Sequence, residues 1–210
     1  MLPKVVLLGS PGSGKTSFYL CAMQQVDSYS IGSAGAVAYS ATLGANFATL
    51  EAVYDGNEVK SVAPPDTKRV GADPDRVLFG LWDTAGQERY KSLAPMYYRN
   101  AAVVLVMHEC TMSSRKAAEG WIDEVRNLSP NTKIVVVQNK TDINPEINRS
   151  FIEAHKVDAW ADSCTLRAGR ESVQKVLQVV AALLRDKPAL SIPEYPALSP
   201  VIAERYSCSC

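Results

Sequence analysis

The sequence has little that would serve a redox, metal-storing or polyelectrolyte function. It carries only two histidines and five cysteines in 210 residues. Cys21, Cys110 and Cys164 are scattered singly, which argues against a disulfide framework and matches the buried thiols of a reducing compartment. No second Cys/His pair stands at zinc spacing to complete a site with Cys208 and Cys210. An excess of one charge is also missing: Lys plus Arg and Asp plus Glu number 22 each, so no global field argues for a nucleic-acid partner. The start, MLPKVVLLGS, has neither a charged leader nor a long apolar segment, and the apolar run 5–8 is too short for a signal peptide or a membrane span. A protein that is cytosolic at synthesis is expected. What is present in quantity is apolar residues, 47% of the chain, enough for one domain with a sizeable core.

The chemistry begins directly after that first apolar run. Residues 9–16 read GSPGSGKT, a complete GxxxxGK[ST] loop. A phosphate chain is highly anionic, so its binder needs many N–H donors converging at close range. Gly9, Gly12 and Gly14 let the backbone curl around it, with Ser10, Pro11 and Ser13 between them. Lys15 adds a point charge near the β- and γ-phosphates. Thr16, followed by Ser17, offers a hydroxyl to Mg²⁺ at the start of a helix whose dipole favours negative charge.

The loop alone does not separate ATP from GTP. Asn139-Lys140-Thr141-Asp142 does, because it follows a second apolar run, Ile134-Val135-Val136-Val137, and so sits at the carboxyl end of a buried strand. An Asp142 carboxylate there accepts both N1–H and the exocyclic amine of guanine, a donor pair adenine does not present. Asn139 would tie this loop to the phosphate loop, and the Lys140 stem would cover one face of the base. Between the two motifs lies WDTAGQERY (82–90). Asp83 at a strand end is placed to hold the Mg²⁺ shell, Gly86 to bring its N–H to the γ-phosphate and Gln87 to orient an attacking water.

The order GSPGSGKT, TLGANF (42–47), WDTAGQERY, YYRNA (97–101) and NKTD resembles the Ras superfamily, and within it the Rab family, from Lys4 to about Arg185. SLAPMYYRNA (92–101) is most similar to the early-endosomal branch. The resemblance implies a GTPase switch with Gln87, Lys15 and Thr42 as its catalytic set, and Thr42 joining Thr16 and Asp83 at the metal. It implies an effector-reading aromatic patch of Phe47, Trp82 and Tyr97, and a last guanine contact borne by the backbone near Ser163, Cys164 and Thr165. The implied ligands are GTP or GDP with Mg²⁺. The implied partners are effectors, an exchange factor, a GTPase-activating protein, a prenylation escort and a GDP-dissociation inhibitor.

Alternating strand and helix patterns give an α/β fold: a doubly wound, mostly parallel sheet, six-stranded in the small-GTPase pattern, with helices on both faces. The spacing predicts strands at 4–8, 47–54, 76–82, 101–107 and 133–138. Helices are predicted at 15–26, near 88–98, at 114–128, near 147–157 and at 170–185. Residues 1–185 form the nucleotide domain, and 186–210, with Pro188, Pro193, Pro196 and Pro200, form an extended tether. The tether ends in Cys208-Ser209-Cys210. A CaaX signal would need Cys at 207, which is Ser. Cys-x-Cys instead resembles the double geranylgeranylation signal of Rabs, and two lipid chains anchor stably where one does not. The cytoplasmic face of intracellular membranes, endosomal by analogy, is the location this implies.

Three departures from the family pattern stand out. Pro11 removes an N–H and fixes φ, so altered loop geometry near the γ-phosphate is expected, with nucleotide binding kept and intrinsic hydrolysis changed. The stretch 28–41 is long and rich in Ser, Gly and Ala, so a more mobile first switch is expected, with Tyr29 or Tyr39 flanking the base. Residues 55–76 replace what would be a tight turn and read as an inserted surface loop. His108-Glu109-Cys110 after the central strand reads as a structural polar cluster, and His155 invites no special role. A GTP-binding scaffold with little hydrolysis is the alternative function, and an ATP-using P-loop kinase is disfavoured by NKTD.

Overall fold

The structure is a computed structural model, and it describes residues 2–25, 42, 44–66, 73–86, 93–143, 151, 155–165 and 169–185. The expectations for Gln87, Tyr29, Tyr39, the first-switch stretch 28–41, the tether 186–210 and its Cys208 and Cys210 fall outside them.

The apolar run at the start forms β1 (Lys4–Leu8), the middle of the sheet. A strand buried on both faces must be apolar at every position rather than at alternate ones. Val5 and Leu7 point into one core with Phe18, Cys21, Val173, Val176, Leu177 and Val180. Val6 and Leu8 point into a second with Tyr98, Trp121, Ile122 and Val125. The chain is thus doubly wound, with α1 (Lys15–Ala22) and α4 (Gly169–Leu184) over one face and α2 (Ala94–Tyr98) and α3 (Met112–Leu128) over the other.

The remaining strands are β2 (Ala45–Asp55), β3 (Glu58–Ala63), β4 (Arg76–Thr84), β5 (Val103–Glu109), β6 (Lys133–Asn139) and β7 (Ala159–Asp162). With β1 they lie in the order β3-β2-β4-β1-β5-β6-β7, seven strands among the described residues where six were expected. All pair in parallel from β4 to β7, while β2 runs antiparallel to both β4 and β3.

The two strands absent from the sequence reading each lack its signal. In β3 only Val62 is buried, so an edge strand with a polar outer face shows little alternation. In β7, Ala-Trp-Ala-Asp carries no β-branched residue and is four residues long. β3 also corrects the view of 55–76 as a loop throughout: its first part completes a hairpin with β2, turning at Gly56 (φ +57°). The helix expected at 15–26 stops at Ala22, because Gln24 enters the left-handed region (φ +56°) and Gln25 N–H returns to Leu20 O at 3.0 Å. The helix expected at 88–98 begins at Ala94 among the described residues, with Pro95 in its first turn. The helix expected near 147–157 lies largely outside them.

α4 closes one edge of the sheet. The Gln174 side-chain amide accepts from Val62 N–H at 3.1 Å and donates to Val62 O, and Gln178 Nε2 donates to Val59 O at 3.4 Å. Beside them Tyr54 Oη donates to Ala181 O at 2.8 Å, with the Arg185 guanidinium 4.3 Å over the Tyr54 ring.

Candidate functional site

The carboxyl ends of β1, β4, β5 and β6 lie on one rim of the sheet, and the phosphate loop, Asp83 and the 139–142 turn stand at three of those ends. The phosphate loop leaves β1 through Gly9 at φ +145°. A Cβ there would lie 2.2 Å from Met107 O of β5, so only glycine lets the loop start so close to the neighbouring strand. Ser13 N–H then donates to Ser10 O at 3.2 Å, closing a turn with Pro11 and Gly12 (φ +77°) at its centre. Pro followed by a positive-φ Gly is what a type II turn requires. Pro11 therefore fits the turn in which it stands.

Gly14 (φ +92°) leads into α1, and a Cβ on it would lie 2.1 Å from Asn139 Nδ2. That contact exists because Asn139, 0% exposed, donates through Nδ2 to Ser13 O at 2.9 Å. The predicted tie between the guanine motif and the phosphate loop is thus in place. Lys15 is 5% exposed, and its Nζ donates to Gly9 O at 2.8 Å, Ser10 O at 2.9 Å and Ser13 Oγ at 3.3 Å. Desolvation lowers its pKa to about 8, opposed by the nearby Asp83 charge. A Cβ on Gly86 would stand 2.5 Å from Lys15 Nζ and 3.0 Å from Pro11 N, so the loop after β4 lies against the phosphate loop.

Thr16, Thr42 and Asp83 come together as the sequence suggested. Thr16 Oγ1 donates to Asp83 Oδ2 at 2.9 Å and, its proton being so used, accepts from Thr42 Oγ1 at 2.9 Å. Asp83 is 0% exposed, and burial raises its pKa against the hydrogen bonds from Thr16 and Asn46 and the charge of Lys15. Its Oδ1 is buried with no hydrogen-bond partner among the described residues. Two hydroxyls and one desolvated carboxylate, an oxygen of which is orphaned among the described residues, form an all-oxygen donor set, the chemistry a magnesium ion takes.

Asn46 was not picked out from the sequence. It donates to Asp83 Oδ2 at 3.2 Å, and what brings it there is the β2–β4 register, which sets Asn46 opposite Asp83. No motif reveals a cross-strand register. Thr84 adds a second unforeseen anchor, its Oγ1 donating to Leu7 O at 2.6 Å and holding the end of β4 to β1.

At the base end, Lys140 sits at φ +61° and Ile143 N–H closes a turn onto Lys140 O at 3.0 Å. Asp142 Oδ1 is buried and has no hydrogen-bond partner among the described residues. Thr141 N–H and Oγ1 both reach Ser163 O, at 3.4 and 3.3 Å, which places Ser163-Cys164-Thr165 beside the NKTD turn. Ser163 N–H donates to Gln138 O at 2.8 Å, and Cys164 N–H donates to Ser172 Oγ at 3.1 Å. Ser172, the first residue of α4 to hold this loop, was likewise missed.

The aromatic set is contiguous: ring centroids are 4.9 Å apart for Phe47 and Trp82, and 6.2 Å for Trp82 and Tyr97. Phe47 is 50% exposed, so it is no core residue. A Cβ on Gly80 would lie 2.7 Å from Phe47 Cε2, so the ring rests on bare backbone of β4.

Comparison with known proteins bears on this arrangement. Residues 4–142 match the family described as Roc, the Ras of Complex domain of DAPkinase. The GTP-binding protein ypt5 of Schizosaccharomyces pombe is 31% identical over 191 residues, 88% of this chain and 77% of that protein. The chain belongs to the Rab family of Ras-type small GTPases. A further Rab-type relative, the GTP-binding protein YPT52 of Saccharomyces cerevisiae, is 36% identical over 172 residues, 74% of this chain. The Rab-family chain spans 64% of YPT52's own length in that match. Among its described residues no helix is long and apolar enough to cross a membrane.

Proposed function

We propose that this Rab-family protein is a switch that alternates between GTP and GDP, hydrolyses GTP to GDP and phosphate, and regulates endosomal membrane traffic. The observation that carries the reading is the convergence of Thr16, Thr42 and Asp83 within hydrogen-bond distance at the foot of the phosphate loop, with the guanine motif tied to that loop through Asn139. Thr42 belongs to the segment that leads into β2, so its hydroxyl reports on the phosphate end while Phe47, on the same strand, presents the exposed ring to partners.

In the proposed reaction, the N–H groups of residues 10 and 12–16 hold the phosphates and Lys15 supplies charge at the β/γ bridge. A magnesium ion held by Thr16, Thr42 and Asp83 would offset charge on the phosphate oxygens. Gly86, which lies against Lys15 and Pro11, would offer its N–H to the γ-phosphate, and Gln87 after it in the sequence would orient the attacking water. Asp142 reads the guanine edge with its unpartnered carboxylate oxygen, and the loop 163–165 lies alongside. No described arginine stands as a finger at this site, so unaided turnover is slow and waits for an activating protein, an effect worth ~10⁵-fold in the Ras system. Cys208 and Cys210 carry the two prenyl groups that hold the protein on the membrane.

Single-turnover hydrolysis of Mg²⁺-GTP by wild type and Gln87→Leu, with GTP, GDP and ATP affinities on the same samples, tests this. Slow hydrolysis abolished by the substitution, with tight and guanine-selective binding in both proteins, is the expected result. Fast unaided hydrolysis overturns the dependence on an activator, and tight binding without hydrolysis in either protein makes the chain a GTP-binding scaffold.

A further inference from the structure

Glu109 ends β5 and has no part in the chemistry described so far, yet it makes one of the shortest ion pairs among the described residues. Its Oε2 lies 2.6 Å from Lys140 Nζ, and the two side chains are 32% and 29% exposed. The partner is the lysine of the guanine motif itself. The pair is built from both sides. Parallel pairing of β5 and β6 sets Glu109 opposite Asn139, the residue before Lys140. Glu109 N–H donates to Ser114 Oγ at 3.1 Å, and Glu109 O accepts from Thr111 N–H at 2.7 Å, so the start of α3 fixes the backbone that carries the carboxylate. Lys140 stands in the left-handed region at φ +61°, a conformation that is unfavourable for a residue with a Cβ and persists where its surroundings impose it.

A free lysine has four rotatable bonds, and holding its stem flat along a ligand face costs much of that freedom at the moment of binding. A carboxylate that captures the ammonium beforehand removes part of that cost, since rigidifying a binding group in its bound form improves affinity without adding a contact. We propose that Glu109 is a positioning residue for the nucleotide base: by anchoring Lys140 Nζ it holds the lysine stem as a fixed wall of the purine pocket and so lengthens nucleotide residence. The inference rests on the guanine-nucleotide reading and adds to it a residue from outside the motif. The ring face is common to all purines while Asp142 reads the edge, so Glu109 governs retention and leaves base choice to Asp142.

The test is a double-mutant cycle on the release of fluorescently labelled GDP from the full chain, using Glu109→Gln, Lys140→Met and both together. Methionine keeps an apolar stem and drops the charge. Glu109→Gln is expected to speed release about fivefold, as suits a short but partly exposed ion pair. Added to Lys140→Met it is expected to change nothing further. Glu109→Asp, which keeps the charge on a shorter arm, is expected to restore part of the loss. The ratio of GDP to IDP release rates should stay at its wild-type value in Glu109→Gln. An unchanged release rate in Glu109→Gln, or an equal acceleration in the Lys140→Met background, overturns the positioning role while leaving the switch reading intact. Failure of the wild type to retain labelled GDP overturns both.

Discussion

The two ends of the nucleotide site are held by opposite means. At the phosphate end, Lys15 and Asp83 are buried, and desolvation disfavours the charged form of each, lowering the lysine pKa to about 8 and raising that of the carboxylate. At the base end, Lys140 and Glu109 form an ion pair open to water on one side, on a loop pinned by Thr141 and Ser163. One end holds charge at a cost that an anion and a cation would relieve, and the other is organised in advance. Ligand binding should therefore stabilise this protein chiefly through its phosphate end, while the base end sets which ligand stays and for how long.

The largest expected effect breaks the phosphate end outright. Lys15→Met should weaken GDP and GTP by about 2–5 kcal/mol, the usual cost of truncating one partner of a desolvated charge pair, as read by titration calorimetry. Next comes the joint between the two ends. Gly14→Ala puts a methyl 2.1 Å from Asn139 Nδ2 at φ +92°, and should cost about 1–3 kcal/mol of stability in urea unfolding for the backbone conformation alone, before the steric overlap is relieved. Should Gly14→Ala leave both the unfolding midpoint and GDP release untouched, the tie through Asn139 does not join the two ends.

A pH measurement then sharpens the contrast. Lys15 has a pKa of about 8 in the fold and an ordinary value of 10.5 in a free chain, so between these values the unfolded chain binds more protons. Stability of the nucleotide-free protein should therefore rise as pH increases from about 8 toward the unfolded value, by on the order of 1–2 kcal/mol between about pH 7.5 and 9.5. Below 8 the lysine is charged in both states and the burial cost stays at its full size. Lys15→Met should flatten that rise, and so should saturating GDP, whose phosphates favour the charged lysine. Asp83 acts in the opposite direction: its raised pKa means that stability falls as the carboxylate ionises with rising pH, in the acid range. The smallest effect belongs to the patch away from both ends. Phe47→Ala should leave GDP affinity within ~0.5 kcal/mol of wild type, because its ring lies on Gly80 and Trp82 and touches neither end of the site.

The parts of this molecule that were legible in the sequence are those in which a local pattern fixes the geometry. The 9–16 loop, Asp83 and 139–142 each follow an apolar strand run, and the fold brings all of them to one rim. α3 and α4 show clear helical periodicity and appear within two residues of where they were expected. What stayed hidden depends on contacts between distant segments. Asn46 reaches Asp83 only through the register of β2 on β4, Glu109 reaches Lys140 through that of β5 on β6, and Ser172 reaches Cys164 from α4. The turn that receives Pro11 was hidden too: its fixed φ suits the second position of a turn whose third residue is glycine.

Gln174 has a consequence for how the protein meets others. An edge strand normally leaves a row of unpaired N–H and C=O groups, a template on which a strand from another chain can add. On β3 the Gln174 amide occupies both backbone groups of Val62, and Gln178 reaches Val59 O. A foreign strand would have to displace a side chain of α4 to extend the sheet there. Self-association by sheet extension is thereby discouraged at this edge, and a partner approaching it must recognise side chains rather than borrow the backbone.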